Sequence, residues 1–260
     1  MRLLVLLAAT GTLGIAQQPF LTDDTDTAKG RHFHLELFTE HDLLQRSAYP
    51  AVRQNTTRFQ LTYGLLDRLE LGLDSPMISI HNAPVSKTTD SFGFGDLDLQ
   101  LKCRIFAEKD SSTRPALTVG FYVELPTGNP RNQLGSGLAD YWLNGIVQKT
   151  LTARLTYRLN SGVLFSGNTL TGAIGIRSAR GIVFTGSSSL TVMLSNRWLV
   201  GEEVCGALTQ RFDLGKGQLQ VQTGAKFALR RSMTVDFALT TGKFEGSPRF
   251  GGAVGISIDF

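Results

Sequence analysis

The sequence predicts an all-β protein: a transmembrane, antiparallel up-and-down β-barrel of twelve strands with both termini on the periplasmic side. Three observations predict it. Apolar residues alternate with polar or small ones in segment after segment, the period of strands with two unlike faces. The polar faces carry charge as well as hydroxyls, as expected for a wall with lipid on one side and a wet lumen on the other. Short turns alternate with longer connections rich in Gly, Asn and Pro, the asymmetry between the two rims of such a barrel. The clearest segment is the last: Val254, Ile256, Ile258 and Phe260 share one face, and Ala253, Gly255, Ser257 and Asp259 the other.

Composition agrees. The chain has 260 residues, 42% of them hydrophobic, and beyond the N-terminus no run suits a membrane helix. Transmembrane strands alternate, so their average hydropathy resembles that of a soluble protein. The formal charge of +4 comes with no compact Lys/Arg cluster, so no nucleic-acid partner is indicated. Cys103 and Cys205 lack metal-ligand or CxxC spacing and leave open a single disulfide. Residues 1–16 read as a signal peptide: Arg2, the apolar run Leu3–Ala9, then small residues and Gly14-Ile15-Ala16 before a mature start near Gln17. Export removes cytosolic roles. A strand sheet in lipid must close on itself, which points to a bacterial outer membrane.

Residues Gln17–Gly30 are polar and acidic, with Asp23, Asp24 and Asp26, and lie on the periplasmic side or tucked into the barrel mouth; residues 31–260 form one barrel domain. The first strand, His32–Thr39, turns Phe33, Leu35 and Leu37 outward and His32, His34 and Glu36 inward. After a loop at His41–Asn55, Thr57–Tyr63 sets Phe59, Leu61 and Tyr63 against Arg58, Gln60 and Thr62. A turn at Gly64–Arg68 leads to Leu69, Leu71 and Leu73 against Glu70, Gly72 and Asp74. Beyond a loop over Ser79–Phe92, the fourth strand opposes Leu97, Leu99, Leu101, Cys103 and Ile105 to Asp96, Asp98, Gln100, Lys102 and Arg104. The turn Glu108–Arg114 joins it to a fifth, with Leu117, Val119, Phe121, Val123 and Leu125 against Thr118, Gly120, Tyr122 and Glu124.

The loop Pro126–Gly137 is long enough to cross a barrel mouth or fold inward. The sixth strand, Asp140–Leu151, places Tyr141 and Trp142 at the level of an interfacial aromatic belt. The seventh carries Leu155, Tyr157, Leu159 and Val163 against Thr156, Arg158 and Asn160; a loop at Asn168–Arg180 precedes the eighth, with Ile182, Phe184, Leu190, Val192 and Leu194 outward and Thr185, Ser187, Ser189 and Thr191 inward. In the ninth, after Ser195-Asn196-Arg197, Glu202 and Glu203 break alternation, which implies one misplaced side chain or a bulge. The tenth opposes Leu219, Val221, Ala225, Phe227 and Leu229 to Gln218, Gln220, Gln222 and Lys226; the eleventh opposes Met233, Val235, Phe237 and Leu239 to Thr234, Asp236 and Thr240. Gly242–Arg249 delivers the last strand. Turns after even-numbered strands are short and connections after odd ones longer, the short Asp213–Gly217 excepted. A soluble sandwich or lipocalin-like barrel is the competing fold, but eight strands suffice for the latter.

The segment Pro19-Phe20-Leu21-Thr22-Asp23-Asp24, the pair Tyr63-Gly64 with Leu66–Gly72, the run Gly93–Lys102, and Leu125-Pro126-Thr127-Gly128 resemble the family named for the MetA pathway of phenol degradation. The resemblance is strongest over Pro19–Tyr141; Cys103 stands where the family often has an aromatic residue. It implies an outer-membrane barrel transporter linked to uptake of aromatic compounds. The terminal Phe260 after alternating apolar residues also resembles the signal read by bacterial barrel-assembly machinery.

Inward parity collects the candidate channel-lining residues His34, Glu36, Arg58, Glu70, Asp74, Asp96, Asp98, Lys102, Arg104, Glu124, Arg158, Lys226 and Asp236. Such charges require hydration or good pairing. The expectation is passive passage of small solutes, aromatic or organic acids among them, through a hydrated lumen with charge ladders along its wall. Outer-membrane lipid is the surrounding partner. A closed barrel presenting its loops to a partner is the alternative. Lipid hydrolysis would need a serine beside His34 and Glu36, from Ser187 or Ser189, but no nucleophile elbow is present. His32 and His34 with Asp23 and Asp24 offer weak metal-site chemistry; no catalytic residue, metal or cofactor is assigned.

Overall fold

A computed structural model of the chain describes residues 18–46, 53–81, 90–109, 113–166, 181–209, 217–244 and 246–260. The signal-peptide reading and most of the loops at 168–180 and 213–217 lie outside the described residues. All strands join one antiparallel sheet whose first and last members pair, His34 opposite Asp259 through Leu43 opposite Phe250. Phe260 exchanges both backbone hydrogen bonds with Phe33, at 2.8 and 3.0 Å, so the wall is closed down to the final residue.

The strands are β1 (Phe33–Leu43), β2 (Arg53–Leu66), β3 (Leu69–His81), β4 in two pieces (Asp90–Phe94 and Leu97–Phe106), β5 (Ala116–Leu125), β6 (Asp140–Thr152), β7 (Leu155–Ser166), β8 (Gly181–Met193), β9 (Trp198–Thr209), β10 (Gln218–Arg230), β11 (Met233–Lys243) and β12 (Phe250–Asp259). Both pieces of β4 pair with β3, one with Met77–His81 and the other with Leu69–Asp74. They therefore make one strand interrupted at Gly95-Asp96, and the barrel has twelve strands. Pro76 lies opposite that interruption, and Gly95 N–H donates to its carbonyl at 2.8 Å. A residue in an antiparallel strand directs N–H and C=O to the same neighbour. The donor that Pro76 lacks would point into the break, so a proline is tolerated inside β3.

Several expected boundaries shift. β1 runs on to Leu43, into the loop expected at His41–Asn55, and β3 runs on to His81, into the loop expected at Ser79–Phe92. The connection after the ninth strand is no exception to the rim asymmetry: β9 ends at Thr209 and β10 begins at Gln218, so that link is similar in length to those after β1 and β3. His32 precedes β1 and is exposed, with Nδ1 against the Gly30 carbonyl at 3.0 Å rather than in the lumen. In β9 there is no bulge. Glu203 is buried inside and Glu202 faces out. Trp142 is corrected too: Tyr141 is on the outer face, but Trp142 points inward and stacks on Tyr122 with ring centroids 4.8 Å apart.

Polarity is reversed relative to a soluble protein. Leu61, Leu71, Leu99, Phe121, Val221 and Phe237 are exposed, whereas Thr56, Lys102 and Thr118 are 0% exposed. Apolar residues normally fill the interior and lysine almost never does. At the turn rim, outward aromatic pairs Phe33–Tyr63, Phe33–Phe260 and Trp198–Phe227 contact within 5.7 Å, an aromatic girdle at one edge of the apolar band. Cys103 and Cys205 are free, one on the outer, apolar face beside Val119 and Leu69, the other buried inside.

Candidate functional site

The lumen is crossed by residues 18–30. From Gly30, beside the β2–β3 turn, the segment rises along β3, β4 and β5: Ala28 N–H donates to the Glu70 carboxylate at 2.5 Å, and Thr118 Oγ1 donates to the Thr25 carbonyl at 2.8 Å. Lys102 Nζ then meets Asp23 at 2.7 Å, Asp24 at 3.4 Å and Glu70 at 3.9 Å. Arg104 reaches Asp26 at 3.5 Å, and Tyr122 Oη donates to Asp23 at 3.0 Å. The chain next spans to the opposite wall, where the Glu203 carboxylate accepts from Leu21 N–H and Thr22 N–H, both at 2.8 Å. Gln222 donates to Glu203 and to the Pro19 carbonyl, and Gln18 N–H returns to Glu36 on β1 at 3.3 Å.

Two glycines make room for this crossing. A Cβ at Gly64 would lie 2.2 Å from the Lys29 carbonyl oxygen, and one at Gly224 would lie 2.7 Å from Pro19 Cγ; both contacts are closer than side chains permit. Within the segment, burial works against the charge of Asp24, but Lys102, Arg158 and Lys226 outweigh it and hold its carboxyl below the usual carboxylate range.

The inward charges predicted from parity therefore divide by task. Glu36, Glu70, Lys102 and Arg104 hold the N-terminal segment, so this part of the expected charge ladder runs from wall to segment. Asp96 anchors the loop after β5: its carboxylate accepts from Gly128 N–H at 2.8 Å and Ser136 N–H at 2.7 Å, bringing buried Leu134 onto the break in β4. Arg158 bonds Gln148 at 2.7 Å and Thr191 at 3.2 Å. Lys226 and Asp236 are buried opposite each other on β10 and β11, with Ser257 Oγ donating to Asp236 at 2.7 Å. His34 lies inside with Nδ1 2.7 Å from Asp259 and Nε2 3.1 Å from Glu36. Both ring nitrogens are engaged by carboxylates, leaving neither to activate a serine. Among the described residues no group of His, Cys, Asp and Glu is placed to hold a metal ion.

The remaining predicted residues meet in open space. Above the crossing segment, toward the long-loop rim, a cavity of about 360 Å³ is lined by Phe20, Arg58, Asp74, Asp98, Tyr122, Glu124, Asp140, Trp142 and Leu164, among others. It adjoins a second, of about 220 Å³, reached by Glu40 and Asp42. Register puts Asp74 opposite Asp98, Asp98 opposite Glu124 and Glu124 opposite Asp140, a row of carboxylates across β3, β4, β5 and β6. Arg58 is the one basic side chain among the described residues lining either cavity; it contacts Asp74 at 2.5 Å and Asp98 at 3.9 Å. Sequence reasoning missed Asp140, although it shares inward parity with Asn144, and missed Glu40 and Asp42 by ending β1 early.

Comparison with known proteins places this geometry. The fold is similar to that of an outer membrane channel from Pseudomonas putida F1, with TM-score 0.69 and 15% identity over 91% of this chain and 98% of that one. It is also similar to the NanC porin, with TM-score 0.56, 10% identity and coverage of 86% and 98%. A KdgM porin solved with disordered oligogalacturonate matches at TM-score 0.53, 11% identity and coverage of 86% and 99%. No protein of curated function matches in sequence. The family model described as "Putative MetA-pathway of phenol degradation" matches residues 52–260, which takes in the C-terminal half and begins after Pro19–Asp24. Since that match spans most of the barrel, the chain belongs to the family whose rhythm and motifs its strands carry.

Proposed function

We propose that this protein is a bacterial outer-membrane channel through which small solutes pass passively, narrowed at mid-height by its own N-terminal segment. The observation that carries the reading is reversed polarity on a closed wall: leucine, valine and phenylalanine outside, charge and hydroxyls inside. Such a surface requires lipid or detergent, and such an interior requires water or pairing. In this reading the short-turn rim and both ends of the barrel domain face the periplasm, and the strand ending in Phe260 is what barrel-assembly machinery engages. Aromatic solutes suit the Trp142–Tyr122 face. Organic acids, also expected from the sequence, would meet Asp74, Asp98, Glu124 and Asp140 with Arg58 already occupied, so the cavity disfavours them.

A second reading, a closed barrel serving as a scaffold, is favoured by one observation: the segment is fastened to both walls through Lys102 and Glu203. Liposome swelling separates the two. Vesicles containing the purified protein are expected to swell in small neutral sugars and aromatic alcohols faster than empty vesicles. Equal rates would favour the scaffold.

A further inference from the structure

The row of carboxylates is unusual in its placement. Like charges directly opposite each other on neighbouring strands destabilise a sheet, yet Asp74, Asp98, Glu124 and Asp140 occupy such positions on four consecutive strands. Among the described residues one guanidinium, Arg58, faces this run and is bound at one end by Asp74. An array of negative charge on one wall of a cavity is complementary to a cation. Among the described residues no group of His, Cys, Asp and Glu is placed to hold a metal ion, and the aromatic surface beside the row favours an organic cation.

The other surfaces of the cavity indicate what the cation carries. Tyr122 and Trp142 are the inward residues one step along their strands from Glu124 and Asp140, a two-residue spacing of about 7 Å. Their rings stack with centroids 4.8 Å apart, and the Trp142 indole N–H is satisfied by Thr185 at 3.1 Å, which leaves the ring as an apolar and π-electron surface. Leu164 continues that surface. Aromatic faces attract ammonium groups as well as apolar bodies. Asn144 adds a further sign: it lines the same cavity on β6, is 1% exposed, and among the described residues its amide nitrogen and oxygen have no partner in good hydrogen-bond geometry, the Tyr122 hydroxyl being a nearby polar group. The hydroxyl of its neighbour Tyr122 donates to Asp23 at 3.0 Å and also lies close enough to interact with the Asn144 side chain. Buried amides are ordinarily satisfied.

We propose that the long-loop half of the lumen is a binding site for small aromatic or arylalkyl ammonium ions, with the charged nitrogen on the Asp98–Glu124 row and the ring beside Trp142 and Tyr122. This rests on the channel reading for its route but not for its binding chemistry. The site selects the positive member of a set of similar molecules, and it offers the Asn144 amide to a polar substituent. The volume of about 360 Å³ is within the range of small-ligand sites.

Calorimetric titration of the full chain in detergent tests this with three matched probes: phenethylammonium, phenethyl alcohol and phenylpropionate. The ammonium is expected to bind about tenfold more tightly than either other probe, with the difference shrinking as salt rises. Replacing Asp98→Asn and Glu124→Gln together is expected to remove that preference and leave the alcohol unchanged. If the double variant fails to show the heat-modifiable migration of a folded barrel, Glu124→Gln alone serves. Equal binding of ammonium and carboxylate, or a preference that survives these substitutions, would overturn the proposal; so would calcium competing as strongly as the ammonium. Swelling assays on the same preparation with a neutral sugar report the channel separately: swelling without ammonium preference rejects this site alone, and ammonium preference without swelling rejects the channel alone.

Discussion

Lys102 concentrates the chemistry of the interior in one side chain. Its ammonium is fully buried and lies within 4 Å of Asp23, Asp24 and Glu70. Removing one partner of a buried ion pair leaves charge uncompensated and costs about 3–5 kcal/mol. Lys102→Met is therefore expected to lower the thermal unfolding temperature in detergent and to make residues 18–30 sensitive to protease, both readable on one purified sample. Parity alone places Lys102 inside, because every second residue from Asp96 to Arg104 is polar. What parity does not convey is its partner. Residues 18–30 have no strand or helix period, so nothing in their pattern fixes a path across the lumen, although the acidic Asp23-Asp24 pair is a signal of where a buried cation would be needed. Trp142 carries the opposite lesson: residue type suggests a membrane interface, while its spacing from Asp140 and Asn144 already places it inside.

Among elements, β3 and β4 explain where strand prediction stops short. Ile78 and Ile80 point inward and are buried, so the polar-inside rule fails near the long-loop rim, and Pro76 is a residue that strand interiors seldom hold. Both anomalies arise because the loop after β5 folds onto the break in β4, bringing Leu134 against that apolar patch. Asp96 holds the loop through two backbone N–H groups, and hydrogen bonds to a charged group contribute about 1.5–3 kcal/mol each. Asp96→Ala is expected to lower the unfolding temperature clearly, with greater proteolytic cleavage between Pro126 and Gly137, while Asp96→Asn has a smaller effect. Equal stability of Asp96→Ala and the unaltered protein would contradict the assigned anchor. The central, regularly alternating portions of the strands are legible because lipid and lumen impose opposite demands on successive residues; the rims, where neither environment dominates, are not.

Over the whole molecule, one arrangement connects sequence rhythm to function: a closed sheet with an apolar exterior, divided inside by a short polar segment pinned to opposite walls. The segment has the extent to narrow the lumen, and the space beyond it contains the carboxylate row and aromatic pair. Current through single molecules in a planar bilayer, recorded for the full protein and for one lacking residues 18–29, tests this most directly. Discrete conductance steps are expected from the full protein, with several-fold larger steps after the deletion, since clearing a constriction lowers both steric and electrostatic barriers. Folded, inserted barrels of both kinds that carry no current would contradict it.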